Sequence, residues 1–457
     1  MLTIRPDTRE SLKYSPVNMQ LFRVRQRLVS NPVADVTAAV RAALDSLGLV
    51  VPRGEVGITA GSRGIANIAE ITKAAGDWLR ERGAKPFLFP AMGSHNGGTA
   101  EGQRAMVESL GLTEAAMGMP IRASMDVVKL GSVGGMSSPA STCSRDASER
   151  TGGRRRVDAS REHATLERPH NTVWMDRHAF ESAGVLVLNR IKLHTCFSGP
   201  VQSGLTKMMV VGMGKIPSAE TFHSAPTPTM QDMLLEMGQV VLDSGKIWAG
   251  LAILEDGYDQ TAELHGLVPE EILKLEPQLL ARHRSYFPRL PLEDINVLVV
   301  DEIGKTFSGT GMDTNVIGYR GVRDGEDLDS PRIRVIAALG LSAATKGNAI
   351  GVGLADFITR RLRDAIDEQK TFLNAFTTGH MERAKVPATF ADDEELVAAI
   401  ARRYGSERWL FIPNTLHLDV LYASEDLVEE LAEHPLCEVE AAAVPLEFAA
   451  GRHRLTF

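Results

Sequence analysis

Residues 55–103 read EVGITAGSRGIANIAEITKAAGDWLRERGAKPFLFPAMGSHNGGTAEGQ and contain two short apolar runs, each followed by a glycine-rich loop. Residues 55–59 and 86–90 have the composition of buried strands. Apolar residues recur at helical spacing over residues 68–82 and 99–110. Strand, glycine-rich turn and helix, repeated twice, predict a parallel α/β sheet. Ligands bind beyond the carboxyl ends of the strands in such sheets, where both loops lie.

The same organisation continues along the chain. An amphipathic helix is predicted over residues 32–49. Further strands are predicted over residues 184–189, 210–211 and 247–254. Residues 137–170 interrupt this pattern, because they are rich in Ser, Arg and Gly and poor in apolar residues. They are interpreted as a flexible, solvated insertion.

A second block follows the polar, proline-containing stretch near residues 282–291. Its predicted elements are strands over residues 295–300, 333–341 and 409–412 and helices over residues 357–368 and 394–404. At 457 residues the chain exceeds what one hydrophobic core usually organises. We therefore expect two α/β domains, residues 1–285 and 286–457, with largely parallel Rossmann-like sheets and an active-site cleft between them.

Composition narrows the class of protein. With 44% hydrophobic and 24% charged residues, the chain resembles an ordinary soluble globular protein. A net charge of −8 argues against a dedicated nucleic-acid binder. Three widely separated cysteines indicate a reducing compartment and no disulfide framework. The amino terminus lacks the apolar core of a signal peptide, and no apolar run is long enough to span a bilayer, so we expect a cytoplasmic protein without membrane contact.

The two glycine-rich loops of the first block contain candidate functional residues. Glycines permit close backbone approach to a ligand and leave N–H groups free to bind an anion. In residues 61–64, Arg63 offers a bidentate fork for a carboxylate or phosphate. In residues 91–103, His95 is a group that exchanges protons near neutral pH. The alternative is that His95 only hydrogen-bonds the loop backbone.

A second segment, residues 189–223, contains His194, Lys207, Lys215 and His223. These residues offer a lysine for covalent or charge chemistry with two histidines nearby. They contain no HExxH or CxxC motif, so a zinc cage built from protein ligands alone is not indicated. The alternative is that these are ordinary loop histidines.

A third segment, residues 304–315, places Lys305 just past the strand predicted over residues 295–300. The segment is glycine-rich but has no P-loop pattern. No dinucleotide fingerprint occurs either, since the GxG at residues 351–353 lacks the required spacing. NAD binding is therefore not supported.

Four of these runs occur in order and together resemble the nickel-dependent lactate racemase family and its 2-hydroxy acid racemase and epimerase homologues. They are PAMGSHNGGTAEGQ (90–103), NRIKLHTCFSG (189–199), SGLTKMMVVGMGK (203–215) with the later His223, and GKTFSGTGMDTN (304–315). The resemblance extends from about residue 54 to residue 355, and residues 137–170 have no counterpart in it. It also implies that the first domain is the cofactor-binding and catalytic domain.

The resemblance implies a nickel-pincer nucleotide, a pyridinium-3,5-bisthiocarboxylic acid mononucleotide that binds nickel through two sulfurs and a ring carbon. Lys207 matches the lysine that tethers this cofactor, and His223 matches the histidine that ligates nickel. His95 and His194 match the acid–base pair that acts on opposite faces of the substrate.

Arg63 and Lys305 match basic residues near the substrate carboxylate and the cofactor. The same motifs place further residues at the cofactor, namely Gly93, Ser94, Gly199 and Lys215. One position departs from the family pattern, because an acidic residue three before the arginine is replaced here by Ala60.

The resemblance therefore implies an isomerase that inverts the carbinol carbon of a 2-hydroxy acid by reversible hydride transfer through a 2-keto acid. Its partners would be that small molecule and the enzymes that synthesise the cofactor. Two other classes stay open: a zinc-dependent hydrolase using His95, His194 and His223, and a cofactor-free α/β protein that binds a phosphorylated or carboxylate ligand.

Overall fold

The computed structural model describes residues 18–134 and 171–457, and the insertion predicted at residues 137–170 lies outside these described residues. In chain order the strands are β1 Gln20–Gln26, β2 Gly54–Ala60, β3 Ala84–Pro90, β4 Val127–Ser132, β5 Thr172–Asp176, β6 Gly184–Arg190, β7 Ile247–Glu255, β8 Thr261–Leu267, β9 Asp294–Ile303, β10 Arg332–Leu341, β11 Phe357–Thr359, β12 Ala388–Phe390, β13 Trp409–Ile412, β14 Val420–Ser424, β15 Cys437–Pro445, β16 Phe448–Ala449 and β17 Arg452–His453.

The α-helices are α1 Val36–Asp45, α2 Ile68–Glu81, α3 Ala100–Ser109, α4 Glu114–Met117, α5 Arg177–Glu181, α6 Leu205–Lys207, α7 Lys215–His223, α8 Met230–Asp243, α9 Pro269–Tyr286, α10 Thr314–Ile317, α11 Arg360–Asp364, α12 Glu368–Thr378, α13 Asp393–Tyr404 and α14 Val428–Glu433. A π-helical turn, Met208–Gly212, follows α6 directly. Short 3₁₀ turns cover Asn96–Gly98, Thr227–Thr229, Ala343–Thr345, Val352–Leu354, Met381–Ala384 and Glu425–Leu427.

The first sheet has five strands in the order β3-β2-β6-β7-β8. Its first four strands run parallel, and β8 is antiparallel to β7. Alternate residues of β6 point to opposite faces. Val185 and Val187 join an apolar cluster with α8 and α9, whereas Leu186 and Leu188 join another with α1 and α2. Both faces are covered, as expected for a parallel sheet with a continuous apolar strand.

The second sheet has eight strands in the order β12-β11-β10-β9-β13-β14-β1-β15. The strands from β12 to β13 are parallel, and the remaining pairings are antiparallel. In β9, Val297 and Val299 pack in the apolar cluster that contains α13 residues, while Leu298 and Val300 face the cluster that contains Leu362 of α11. The predicted fold of two α/β units with largely parallel sheets is confirmed.

Strand β1 departs from the predicted division of the chain after residue 285. It lies near the amino terminus, yet it pairs with β14 and β15 and so belongs to the eight-stranded sheet. Leu21 and Val24 are fully buried in this position. The chain therefore begins its described part in the second sheet, crosses to the first and returns through α9 to β9.

Two predicted elements differ from the structure. The strand predicted at residues 210–211 is wrong, because both valines lie in the π-helical turn Met208–Gly212, where the N–H of Met213 donates to the carbonyl of Met208. The single helix predicted over residues 357–368 is also wrong. Its first residues form β11, which pairs with β10, and α11 then ends at Asp364. At β11, pairing with β10 outweighs local preference, whereas at residues 210–211 the local hydrogen bond of the π-helical turn takes the place of strand pairing.

Within the described ranges 18–134 and 171–457, no helix is long and apolar enough to cross a membrane.

Candidate active site

The loops that follow β2, β3, β6 and β9 converge on a cleft of about 590 Å³. Residues carried by the first sheet line one side, and residues 305–310, 350, 374, 378, 380 and 383 line the other. The cleft therefore lies beyond the carboxyl ends of parallel strands from both sheets, where α/β folds usually bind ligands.

His95 lies in the loop after β3, and this loop is held against the π-helical turn. The N–H of Gly93 donates to the carbonyl of Gly212 at 3.2 Å. Gly93 has a φ of 60°, and a Cβ there would lie 3.2 Å from the carbonyl oxygen of Val211, so the close approach favours glycine. Nδ1 of His95 shares a short hydrogen bond with Oγ of Ser62, from the loop after β2.

His194 follows β6 and contacts Lys207 through one ring nitrogen. Nε2 of His194 lies 2.5 Å from Nζ of Lys207. The other nitrogen, Nδ1, accepts a hydrogen bond from the backbone N–H of Cys196 at 3.1 Å. Phe197 packs against the imidazole, with ring centroids 4.3 Å apart. The ring is therefore held from three sides.

The segment after His194 is held by residues of the second half of the chain. Arg383 donates to the carbonyl of Thr195 at 2.8 Å and contacts Sγ of Cys196 at 3.2 Å. The hydroxyl of Thr314 donates to the same carbonyl at 2.9 Å. Because these contacts cross the cleft, the position of His194 depends on how the two sheets are packed together.

The cleft is strongly cationic, although the chain as a whole is acidic. Six basic residues line it: Arg63, Arg190, Lys192, Lys207, Lys305 and Arg383. Among the residues that the structure describes, no Asp or Glu lines the cleft. Arg190 is paired with the buried Glu255 behind the wall, and Lys305 donates to Asn374 at 2.5 Å. An excess of cations on a concave surface favours an anionic ligand.

Three histidines of the cleft, His95, His194 and His223, have pKa values well below neutral. Desolvation and the charges of Arg63, Lys305 and Lys207 lower the pKa of His95 to about 4, although its ring is open to the cleft. Desolvation and the charge of Lys207 lower the pKa of His194 to about 4. Burial, followed by the same lysine, lowers the pKa of His223 to about 3. Neutral imidazoles are proton acceptors and metal ligands.

The lysines of the cleft are shifted in the same direction. Burial lowers the pKa values of Lys192, Lys207 and Lys305 to about 8 each, because desolvation disfavours the ammonium form. A substantial fraction of each amine is therefore unprotonated and nucleophilic slightly above neutral pH.

His223 ends α7 and lines the cleft on the same side as Lys207. No group of three His, Cys, Asp or Glu side chains arranged to hold a metal ion occurs in residues 18–134 and 171–457. The zinc hydrolase interpretation therefore has no ligand cluster in that part of the chain. A single histidine ligand suits a metal whose other donor atoms come from a bound cofactor.

The structure brings most of the predicted site residues to the cleft and leaves two outside it. Those in the cleft wall are Arg63, Gly93, Ser94, His95, His194, Lys207, His223 and Lys305. Lys215 is not among them, because its side chain is fully buried, pairs with Asp176 at 3.1 Å and donates to the carbonyl of Pro90. Its predicted contact with a cofactor is corrected to a structural role.

Gly199 is likewise outside the cleft wall. A Cβ at this position would collide with the side chain of Gln231, and its carbonyl accepts from Gln202 Nε2 at 2.9 Å. The glycine serves local packing, and its predicted cofactor contact stays a prediction.

Other residues of the cleft were missed by sequence reasoning: Lys192, Cys196, Asn374, His380 and Arg383. Lys192 offered a signal, because it lies two residues beyond the end of β6 in the same run as His194. Arg383 offered none, since its contact Cys196 is 187 residues away in the sequence.

Comparison with known proteins identifies a fold relationship. No family model matches the chain, and a search of curated protein sequences yields no match. Among solved structures, the chain is similar to the lactate racemase apoprotein from Thermoanaerobacterium thermosaccharolyticum, with a TM-score of 0.50 and 12% sequence identity. The similarity covers 88% of this chain and 99% of that one. This chain therefore shares the overall fold of a lactate racemase apoprotein.

Proposed function

We propose that this protein is an isomerase that racemises or epimerises a 2-hydroxy acid with the help of a nickel-pincer nucleotide. One observation carries the proposal: two uncharged histidines and a lysine of lowered pKa share a cationic cleft that no described Asp or Glu lines. The fold of the lactate racemase apoprotein supports the same class of reaction.

The residues of the cleft fit such a cofactor. Lys207 would attach it, because an amine with a pKa of about 8 is a nucleophile near neutral pH. His223 would ligate nickel as a neutral imidazole. The basic residues of the cleft would bind the phosphate of a mononucleotide. When bound, the cofactor would accept a hydride from the carbinol carbon and return it.

His95 and His194 would move the hydroxyl proton of the substrate. They come from loops after different strands, β3 and β6, and line the same cleft. Two bases are needed because the hydroxyl points to opposite sides in the two enantiomers. Part of the lowering of both pKa values comes from neighbouring cations, so an anionic substrate would raise them toward neutrality and help each ring to give the proton back.

The contact between Lys207 and His194 implies that the cofactor would bind before the substrate. In the free chain, the amine of Lys207 lies at Nε2 of His194, the nitrogen that would exchange the proton. Use of Lys207 to hold the cofactor would withdraw the amine from this contact. In the tautomer in which Nδ1 accepts the N–H of Cys196, Nε2 carries the ring proton and would then be free to donate it to the substrate oxygen. To accept the hydroxyl proton instead, the ring would have to take the other tautomer and release the N–H of Cys196.

The substrate carboxylate would be bound between the two sheets. Arg63 follows β2 and Lys305 follows β9, and the charge of Arg63 lowers the pKa of Lys305, so the two cations lie close enough to interact. A carboxylate bound by both cations would relieve this repulsion. It would also keep the planar 2-keto acid in place while the acid flips to present its other face.

The proposal is tested with protein isolated from cells that also make the cofactor. A panel of lactate, malate, gluconate and an aromatic 2-hydroxy acid is deuterated at the carbinol carbon, and each single isomer is incubated with the protein. We expect inversion of one panel member with the deuterium retained at that carbon. His95→Gln and His194→Gln should each abolish inversion, because every turnover needs one ring to take the proton and the other to return it.

Two outcomes would contradict the proposal. Extensive exchange of the carbinol hydrogen with solvent would indicate direct proton abstraction. A protein that binds panel members but inverts none, and that carries neither nickel nor nucleotide although the cells make the cofactor, would favour the cofactor-free binding protein.

A further inference from the structure

Two cations of the cleft have no counter-ion in the described chain. Neither Arg63 nor Lys192 forms a side-chain hydrogen bond or an ion pair within residues 18–134 and 171–457. Asp313 and Glu255 attract Lys192 from a distance, but Arg190 and Arg63 repel it. Holding neighbouring cations in a cleft without a counter-ion costs free energy. A bound anion would compensate their charge when the site is occupied.

Lys192 is held rigidly at its backbone. Its N–H donates to the carbonyl of Ser203 at 2.7 Å, and the N–H of Ser203 donates back to the carbonyl of Lys192 at 3.2 Å. These two hydrogen bonds lie directly after β6, so they fix the Cα of Lys192 relative to the first sheet. A rigid attachment lowers the entropy that is lost when the ammonium binds a ligand.

Arg63 acts electrostatically on two lysines that belong to different sheets. Its charge lowers the pKa of Lys192 on the first sheet and that of Lys305 on the second. A Cβ on Gly309 would lie 3.0 Å from Nη2 of Arg63, so the glycine leaves room for the guanidinium to reach the second sheet. One guanidinium and two ammonium groups in the same cleft provide positive charge for two anions.

We propose that Lys192, together with Arg63, binds a second anionic group, a carboxylate or a phosphate, in addition to the substrate carboxylate assigned to Lys305. The inference rests on the proposed function for the first of these anions. Two sources share the chemistry of the second: the phosphate of a mononucleotide cofactor and a second carboxylate on the substrate itself.

The test is calorimetric titration of the apoprotein with nicotinate mononucleotide, malate and lactate. We expect Lys192→Gln to weaken the binding of one of the first two ligands by about 10- to 100-fold, the range for loss of a charge-assisted hydrogen bond. Weaker mononucleotide binding assigns the site to the cofactor phosphate, and weaker malate binding assigns it to a dicarboxylic substrate. Lactate, with a single carboxylate, should bind the variant as it binds the wild type.

Two control variants separate a specific site from a general effect of charge. Lys192→Arg should retain binding, and Lys73→Gln removes an equal charge from the exposed face of α2, outside the cleft. Unfolding of Lys192→Gln without ligand should be no easier than that of the wild type, because an unpaired cation has been removed.

Three results would overturn the inference: affinities for mononucleotide and malate that change by less than about twofold, equal weakening of lactate, or no binding of either larger ligand to the wild type. Because the apoprotein needs neither nickel nor turnover, these results are independent of whether the loaded protein racemises anything.

Discussion

Nζ of Lys207 lies 2.5 Å from Nε2 of His194, while Nδ1 of the same ring accepts the backbone N–H of Cys196. A neutral imidazole that accepts at Nδ1 carries its proton on Nε2. That proton points at Lys207, so the short contact is a hydrogen bond only if the amine is unprotonated. The geometry and the lowered pKa of Lys207 therefore agree on an amine that is mostly neutral above about pH 8.

This agreement predicts the reactivity of Lys207. Its acetylation by acetic anhydride should reach half its maximal rate at about pH 8, because burial lowers the pKa from 10.5 to about 8 and the neutral amine is the nucleophile. Peptide mass spectrometry measures the labelled fraction at each pH, with Lys207→Arg as the blank. A rate that keeps rising between about pH 9 and 11 would mean an ordinary lysine.

Replacing His223 should remove nickel without harming the fold. Its ring makes an edge contact with Phe222 but donates no hydrogen bond within the described residues. We expect His223→Ala to change the free energy of unfolding by less than about 0.5 kcal/mol. Nickel in protein from cells that make the cofactor should fall well below one per chain, whereas His178→Ala, remote from the cleft, should keep it. Full nickel in the His223 variant would disprove this ligand assignment.

Arg383 should matter for stability as well as for the site. It is 2% exposed and donates to the carbonyls of Thr195 and Arg320. Arg383→Ala would remove both donors from the carbonyl of Arg320 and leave the carbonyl of Thr195 with only the hydroxyl of Thr314, so urea denaturation should show a loss of about 2–4 kcal/mol. Arg383→Lys keeps the positive charge but not the several N–H donors of the guanidinium, so it should lose less stability than Arg383→Ala. Arg41→Ala, which breaks an exposed ion pair with Glu81, should leave stability nearly unchanged; equal losses for both alanine variants would refute the role given to Arg383.

Glu276 should make the stability of the first sheet's domain depend on pH. Burial raises its pKa from 4.5 to about 7, even though the N–H and hydroxyl of Thr206 both donate to it. The raised value means that the protonated form is favoured on folding. The stability linked to Glu276 is therefore complete below about pH 4.5 and is lost as the pH rises through 7.

Glu276→Gln should accordingly remove this dependence. Relative to the wild type, the variant should gain up to about 3 kcal/mol between pH 5 and 8 in urea denaturation. Glu271→Gln, exposed on the same helix, serves as the control. A difference between Glu276→Gln and wild type that is the same at both pH values would show that the carboxyl titrates normally.

Much of the fold could be predicted because it is encoded locally. The apolar runs of β2, β3, β6 and β9 predict buried strands from local composition, and the glycine loops after them are expected at the carboxyl edges of their sheets. From this rule alone, Arg63, His95 and His194 are expected to lie near one another. Lys305 follows a strand of the other sheet, so its place in the cleft depends on how the two sheets pack. Val210 and Val211 of the π-helical turn show the limit of prediction from local composition, because β-branched residues favour strands only when a partner strand is present.

The sequence by itself determined the two α/β units, the loops that form the cleft and the residue types available in it. Only the tertiary structure decided which side chains reach the cleft: it buries Lys215 against Asp176 and brings Arg383 to Cys196 across 187 residues. It also decided their protonation, since desolvation by surrounding walls lowers the pKa values of His95 and Lys207. Local preference depends on nearby residues, whereas burial and long-range contacts depend on how distant segments pack.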